Sequence, residues 1–68
     1  MRADRLLQVA ALLRQHGRLS ASELARRLEV TPRTIARDIE ALSAAGVPVY
    51  AERGRTGGYA LVPGWPPR

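Results

Sequence analysis

The chain has 68 residues, no cysteine and a formal net charge of +5, and all 11 of its basic residues are arginines. A domain of this size buries only about 60% of the surface of its unfolded chain, so a deep catalytic cavity is not expected. The lack of cysteine excludes disulfides and thiolate metal sites, so aliphatic side chains must form the core. The positive charge favours a polyanionic partner such as nucleic acid, although charges that only serve solubility would give the same total.

The first predicted helix runs from about Ala3 to His16, and Gly17 is a natural stop for it. Its apolar stripe follows helical spacing and consists of Leu6, Val9, Ala10 and Leu13. Leu7 and Leu12 lie on either side of this stripe. They either widen the core face or contact another subunit, and the core is the favoured interpretation.

A short extended link, residues 18–20, leads to a second helix over about residues 21–28. Ser20 and Glu23 have the spacing of a capping box, which marks the start of this helix. The residues expected to face inward are Ala21, Leu24, Ala25 and Leu28. Glu29 and Val30 then form a tight joint, with Val30 under the turn. A helix, a short turn and a second capped helix are typical of a helix-turn-helix motif.

The third predicted helix begins with Thr31 as N-cap and Pro32 at the first helical position, continues to Ala45 and stops at Gly46. One buried stripe consists of Ile35, Ile39 and Leu42. Arg33 and Arg37 lie on the opposite side, with Thr34 at its edge. Two arginines one turn apart near the start of a helix suit insertion into a DNA major groove, although most such faces are merely solvated.

Two strands are predicted after Pro48, within residues 49–53 and 58–62, joined by a glycine-rich reversal of hairpin length. The residues expected to pack on the helices are Val49, Ala51, Tyr59 and Leu61. Arg53 and Arg55 lie at the hairpin tip, where they would meet DNA. The alternative is a basic turn that only protects an edge strand from aggregation.

These elements predict a mainly α fold with a small β-hairpin: a winged helix-turn-helix, in which a three-helix bundle carries a two-stranded wing. The domain spans residues 1–62, and residues 63–68 form a proline-rich tail or linker.

The chain from Arg5 to Val62 resembles the N-terminal winged-helix domain of bacterial WYL-domain transcriptional regulators, a DeoR-like group. The resemblance is carried by the run RTIARDIEAL, the exit GVPV and the hairpin ending GGY-x-L. It implies a regulator that binds double-stranded DNA through its third helix. Because one domain contacts few base pairs, binding as a homodimer to paired half-sites is a further hypothesis. In such proteins an effector-sensing WYL domain follows through a linker, and any effector would bind that domain, which is absent from this chain.

The resemblance also implies which residues contact DNA. Arg33 and Arg37 are expected to read base edges, preferentially guanine N7 and O6, and Thr34 to touch a thymine methyl or a phosphate. At the starts of the second and third helices, contacts with phosphate are expected from Ser20, Ser22, Thr31 and Pro32. In the wing, Arg53 and Arg55 are expected to contact the DNA backbone or the minor groove. Tyr50 is a weaker phosphate candidate, since burial is at least as plausible for it.

Two carboxylates on the third helix need a separate account, because carboxylates repel phosphate. Asp38 lies at the border of the buried stripe, and we expect it to pair with an arginine such as Arg5 or Arg14. Glu40 either orients Arg37 or Arg33 or faces solvent.

An enzyme is not expected, because no second carboxylate or histidine completes an acid–base site and no cofactor or metal motif is present. The apolar N-terminal stretch is too short to span a membrane, and no signal-peptide pattern is found, so a cytoplasmic protein, associated with the nucleoid when bound to DNA, is expected. The alternative function is a winged helix used for protein–protein interaction or dimerisation. Such a surface would carry exposed apolar side chains on the third helix, whereas this helix carries Arg and Thr.

Overall fold

Three helices and three short strands make up residues 2–52 and 57–64, which are the residues that the computed structural model describes. The elements in chain order are α1 (Arg2–His16), β1 (Arg18–Leu19), α2 (Ala21–Leu28), α3 (Pro32–Ala44), β2 (Val49–Glu52) and β3 (Gly58–Leu61). The strands form one antiparallel sheet in the order β1-β3-β2. This is a winged helix-turn-helix, as the sequence predicts. The predictions for Arg53, Arg55 and most of the tail fall outside the described residues.

The core lies between the three helices and the inner face of the sheet. Its fully buried members come from the predicted stripes and include Val9, Leu13, Leu24, Ile35 and Leu42. Leu12 packs against this cluster, but Leu7 is 70% exposed, so the expectation that it widens the core is wrong. At 100° per residue, Leu7 lies 200° around α1 from Val9, and α1 buries only the side that carries Val9 and Leu13.

The predicted capping box sets the start of α2. The Ser20 hydroxyl accepts a hydrogen bond from the Glu23 amide at 3.0 Å, and the Ser20 amide donates to Glu23 Oε1 at 3.2 Å. That second bond lowers the pKa of the Glu23 carboxyl by more than burial raises it. The bond to the Ser20 hydroxyl and the positive charges of Arg26 and Arg27 lower this pKa further. The carboxylate therefore stabilises the fold only while it is charged.

The turn between α2 and α3 depends on one residue with a left-handed backbone. Glu29 has φ of 59°, and the next amide, that of Val30, donates to the Ala25 carbonyl at 2.9 Å. This closes the end of α2 in a position that glycine more often takes. Val30 packs against the core beneath the turn, as predicted.

The start and the end of α3 also follow from local sequence. Thr31 caps the helix by accepting from the Thr34 amide at 3.2 Å, and Pro32 occupies the first turn. At the other end Gly46 has φ of 95°, and the Val47 amide donates to the Leu42 carbonyl at 2.9 Å. The helix stops at Ala44, one residue before the predicted end.

The hairpin of β2 and β3 is confirmed, and β1 adds a third strand where the sequence indicated only an extended link. Arg18 lies opposite Ala60, and Leu19 lies opposite Tyr59, so β3 is the central strand. Three of the four residues expected on the inner face pack against the core, namely Val49, Tyr59 and Leu61.

The fourth residue expected on the inner face, Ala51, is exposed, so its predicted burial is wrong. It belongs to β2, an edge strand whose far end leads into the hairpin reversal. Only Val49, at the near end of this strand, packs against the helices.

Gly58 allows β1 to approach β3. A Cβ atom on this residue would lie 2.7 Å from the Leu19 carbonyl oxygen and 3.1 Å from the Ser20 nitrogen. Both atoms belong to the backbone, so relief would require β1 to move rather than a side chain to rotate. This position therefore requires glycine, because a Cβ atom has no room beside the backbone of β1.

No helix among residues 2–52 and 57–64 is both long enough and apolar enough to cross a membrane.

We predict that Gly58→Ala lowers the free energy of unfolding by about 1–3 kcal/mol, because the added methyl group pushes β1 away from β3. Urea denaturation followed by circular dichroism measures the change. Ala51→Ser, at an exposed site of the same sheet, is the control and should stay within about 0.5 kcal/mol of the parent protein. A Gly58→Ala protein as stable as the parent would contradict the close approach.

We also predict that stability falls as the pH drops below the ordinary glutamate range. The pKa of Glu23 is lower in the folded chain than in the unfolded chain, so the unfolded chain binds more protons. The stabilisation from Glu23 is present above the unfolded pKa of 4.5 and is lost as the pH falls through the folded pKa. Glu23→Gln keeps an acceptor for the Ser20 amide without a titrating group. Thermal melting from about pH 6 to pH 3 should show a shallower decline for this variant than for the parent. Parallel declines would argue against the contribution of Glu23.

Candidate nucleic-acid interface

The outer face of α3 carries two arginines with no acidic partner among the described residues. Arg33 and Arg37 are exposed, one helical turn apart, and neither forms a salt bridge within residues 2–52 and 57–64. Thr34 lies half-buried between them. Since Ile35 and Ile39 hold the opposite face in the core, these two guanidinium groups point away from the body of the domain.

The first turn of α3 presents Thr31 and Pro32 to solvent. The Thr31 hydroxyl lies 3.1 Å from that of Thr34 in addition to capping the Thr34 amide. This turn contains no acidic residue, whereas the first turn of α2 contains Glu23. The partial positive charge of a helix N-terminus is therefore compensated in α2 and left uncompensated in α3.

The two serines at the start of α2 differ in what they can offer a ligand. The Ser20 hydroxyl lies 3.3 Å from Glu23 Oε1, in addition to accepting from the Glu23 amide. It is half-buried and engaged within the capping box, beside a carboxylate. Ser22 is exposed and takes no part in the box.

A buried ion pair attaches α3 to α1. Arg5 Nε donates to Asp38 Oδ2 at 2.5 Å, and Arg5 Nη2 donates to Asp38 Oδ1 at 3.1 Å. The Asp38 side chain is 1% exposed and that of Arg5 27% exposed. The hydrogen bond to Asp38 raises the pKa of Arg5. The expectation that Asp38 pairs with Arg5 or Arg14 is confirmed, and the partner is Arg5.

The same ion pair borders a cavity of about 290 Å³ beside the arginine face of α3. Arg5, Thr34, Arg37 and Asp38 line it. The sequence suggested Arg5 only as a possible partner of Asp38 and did not indicate that it lies near Thr34 and Arg37. No local sequence pattern gives that position, because Arg5 and Asp38 are 33 residues apart in the chain.

The outer face of the sheet holds a second ion pair, at the end of the hairpin next to its reversal. Arg18 Nη1 donates to Glu52 Oε1, and the Tyr50 hydroxyl donates to Glu52 Oε2 at 3.3 Å. The bond from Arg18 lowers the pKa of Glu52, against the effect of burial. The pair joins the two outer strands across Gly58, which lies opposite Glu52 on β3. Tyr50 is exposed, so its hydroxyl is open to solvent beside Glu52.

No group of three or more His, Asp or Glu side chains that could hold a metal ion occurs among the residues that the structure describes.

Comparison with known proteins agrees with the architecture. A family model described as an HTH domain, that is, helix-turn-helix, matches residues 5–60. The chain is 40% identical over 62 residues to a Bacillus subtilis (strain 168) protein named "Uncharacterized HTH-type transcriptional regulator YobV". The alignment covers 91% of this chain but 20% of that relative, so the chain spans about a fifth of the relative's length. No solved structure matches. With most of its length matched, including the capped turn between α2 and α3, the chain belongs to the HTH domain family.

Proposed function

We propose that this chain is the DNA-binding domain of a transcriptional regulator, with α3 in the major groove and the basic hairpin on the backbone or in the minor groove. One observation carries the proposal: α3 buries one face and presents two exposed arginines, without acidic partners in the described part of the chain, on the other. Free guanidinium groups at the start of an exposed helix have the geometry that bidentate recognition of guanine requires.

In this proposal Arg33 and Arg37 read base edges, and Thr34 touches a thymine methyl or a phosphate. Its half-buried position and the contact with Thr31 limit how far Thr34 can reach. Arg33 and Arg37 are exposed and therefore supply most of the discrimination between base pairs.

The phosphate contacts surround this helix. Thr31 and Pro32 let the DNA backbone approach the uncompensated start of α3, and Ser22 offers a free hydroxyl at the start of α2. Ser20 is the weaker of the two serine contacts, because its hydroxyl is engaged with Glu23. Arg53 and Arg55 contact the backbone or minor groove from the hairpin tip.

The finer family assignment, a DeoR-like regulator with a WYL domain, is also a proposal. Because the chain spans 20% of the B. subtilis relative, a regulator of that length has room for a separate ligand-sensing domain. Such a regulator would act in the bacterial cytoplasm, on the nucleoid.

We predict that Arg37→Ala weakens binding to the preferred duplex by about 1–3 kcal/mol and relaxes the preference at one or two base pairs. The preferred sequence is first selected from a random duplex library with the parent protein. Binding of parent and variant is then measured on that sequence and on its single-base variants, at one fixed salt concentration, since affinity depends on salt.

Arg14→Ala is the matched control for this experiment. Arg14 is also an exposed arginine, but it lies near Leu61 and Gly64, at the end of β3 away from the hairpin tip. It should leave the base preference unchanged. Equal base preference in the parent and the Arg37→Ala variant would refute the reading role of Arg37, and the absence of any selected sequence would favour the protein-interaction alternative.

A single domain contacts few base pairs, so we further propose that two copies bind paired half-sites. Leu7, exposed on α1 away from α3, is the apolar side chain best placed to support contact between copies. Light scattering on a duplex with two half-sites should give two protein chains per duplex. A complex with one chain per duplex would contradict the proposal.

A further inference from the structure

We propose that Arg5, held by Asp38, forms a phosphate clamp with the Thr34 hydroxyl, beside the base-reading Arg37. The clamp is a site between α1 and α3 for one phosphodiester of the DNA backbone. This inference rests on the proposed DNA-binding function. It adds a DNA contact from α1, a helix that makes no DNA contact in the proposed function.

The ion pair leaves Arg5 with free hydrogen-bond donors. A guanidinium group has five N–H donors, and the two bonds to Asp38 use one on Nε and one on Nη2. The other three are available to a ligand, and the side chain is 27% exposed. A ligand can therefore reach the guanidinium group, whose orientation is fixed by the two bonds to Asp38.

Asp38 does not oppose an anion at this site. Both of its oxygens accept from Arg5, and its side chain is buried. Two arginines and one aspartate line the cavity, so its local charge is +1. The carboxylate acts as an orienting group for Arg5, while the charge of Arg37 adds to the positive potential at the site.

The cavity suits a phosphate group in size and in chemistry. Its volume of about 290 Å³ is well above the roughly 10–15 Å³ that one water molecule needs on the same measure, so a phosphate group has room there. Its lining offers two guanidinium groups and the Thr34 hydroxyl, which are phosphate-binding groups.

A phosphate rather than a base is the expected occupant, because Arg5 is attached at two atoms and cannot extend into the groove. A guanidinium group that is already ordered also loses little side-chain entropy on binding. The clamp therefore contributes to position and affinity and does not distinguish between sequences.

The test measures how duplex binding depends on salt. The double variant Arg5→Met/Asp38→Leu removes the ion pair but keeps the net charge at +5, because one charge of each sign is lost. Replacing a buried ion pair with apolar residues commonly preserves folding, and circular dichroism checks that it does. On a random-sequence duplex, the slope of log K against log salt should become shallower by about 0.9, the value for one lost phosphate contact.

Arg14→Met is the matched control. Arg14 lies on the same helix as Arg5 but nine residues further along, half a turn around the helix axis. Its loss changes the net charge and should leave the slope unchanged. If the double variant does not fold, Arg5→Gln/Asp38→Asn replaces it as a neutral polar pair. A folded double variant with the parent slope would overturn the clamp.

The failure of DNA binding itself would look different, because the parent protein would then bind no duplex even at low salt. In that case a nuclear magnetic resonance titration with inorganic phosphate decides the matter. Shifts of the Arg5 Nε–H and Thr34 amide signals in the parent, with no shift of the Thr34 amide signal in the double variant, would establish the anion site without DNA. No shift in the parent would overturn it.

Discussion

The packing of α1 against α3 depends on the two hydrogen bonds between Arg5 and Asp38. Burial of Ile35 and Ile39 turns one side of α3 toward the core, but apolar contact is not directional and leaves the alignment of α3 with α1 less sharply defined. A bidentate arginine–carboxylate pair is directional, and a carboxylate with 1% exposure cannot lose its partner without a large desolvation penalty. The pair therefore fixes how α1 and α3 lie against each other, while the buried stripe of α3 determines which face is turned outward. Its main contribution is to that arrangement, because replacing a buried ion pair with apolar residues is often neutral for stability.

Sequence reasoning succeeded where the determining contacts lie within about four residues of each other. The capping box of Ser20 and Glu23 and the proline-started helix after Thr31 gave the starts of α2 and α3, because each cap bonds to an amide three residues away. Helical spacing likewise gave the buried and exposed sides of α3. The two exposed arginines of the candidate interface could thus be named from the sequence. The position of Asp38 at the border of the buried stripe indicated a pair with an arginine such as Arg5 or Arg14, and the partner is Arg5.

The features that the sequence did not reveal depend on contacts between distant parts of the chain. β1 is only two residues long, and it is a strand because Gly58, near the other end of the chain, leaves space for its backbone. Ala51 occupies an inward-facing position in the alternating pattern of its strand, but only Val49 on that strand packs against the helices, so Ala51 is exposed. Leu7 is one of several apolar residues of α1, but only the side of α1 that carries Val9 and Leu13 is buried in the core. The position of Arg5 beside Thr34 follows from the packing of α1 on α3, which no single segment encodes.

The two helix starts on the proposed DNA-binding side are not equivalent, and the difference is electrostatic. Glu23 gives α2 both its capping bond and a negative charge, so an approaching phosphate would meet a carboxylate there. Thr31 caps α3 with a neutral hydroxyl, and the first turn of α3 contains Arg33 and no acid. A DNA backbone that follows the positive potential is therefore drawn to α3 rather than to α2. In the proposed complex, this potential would favour a position of the duplex over Arg33 and Arg37.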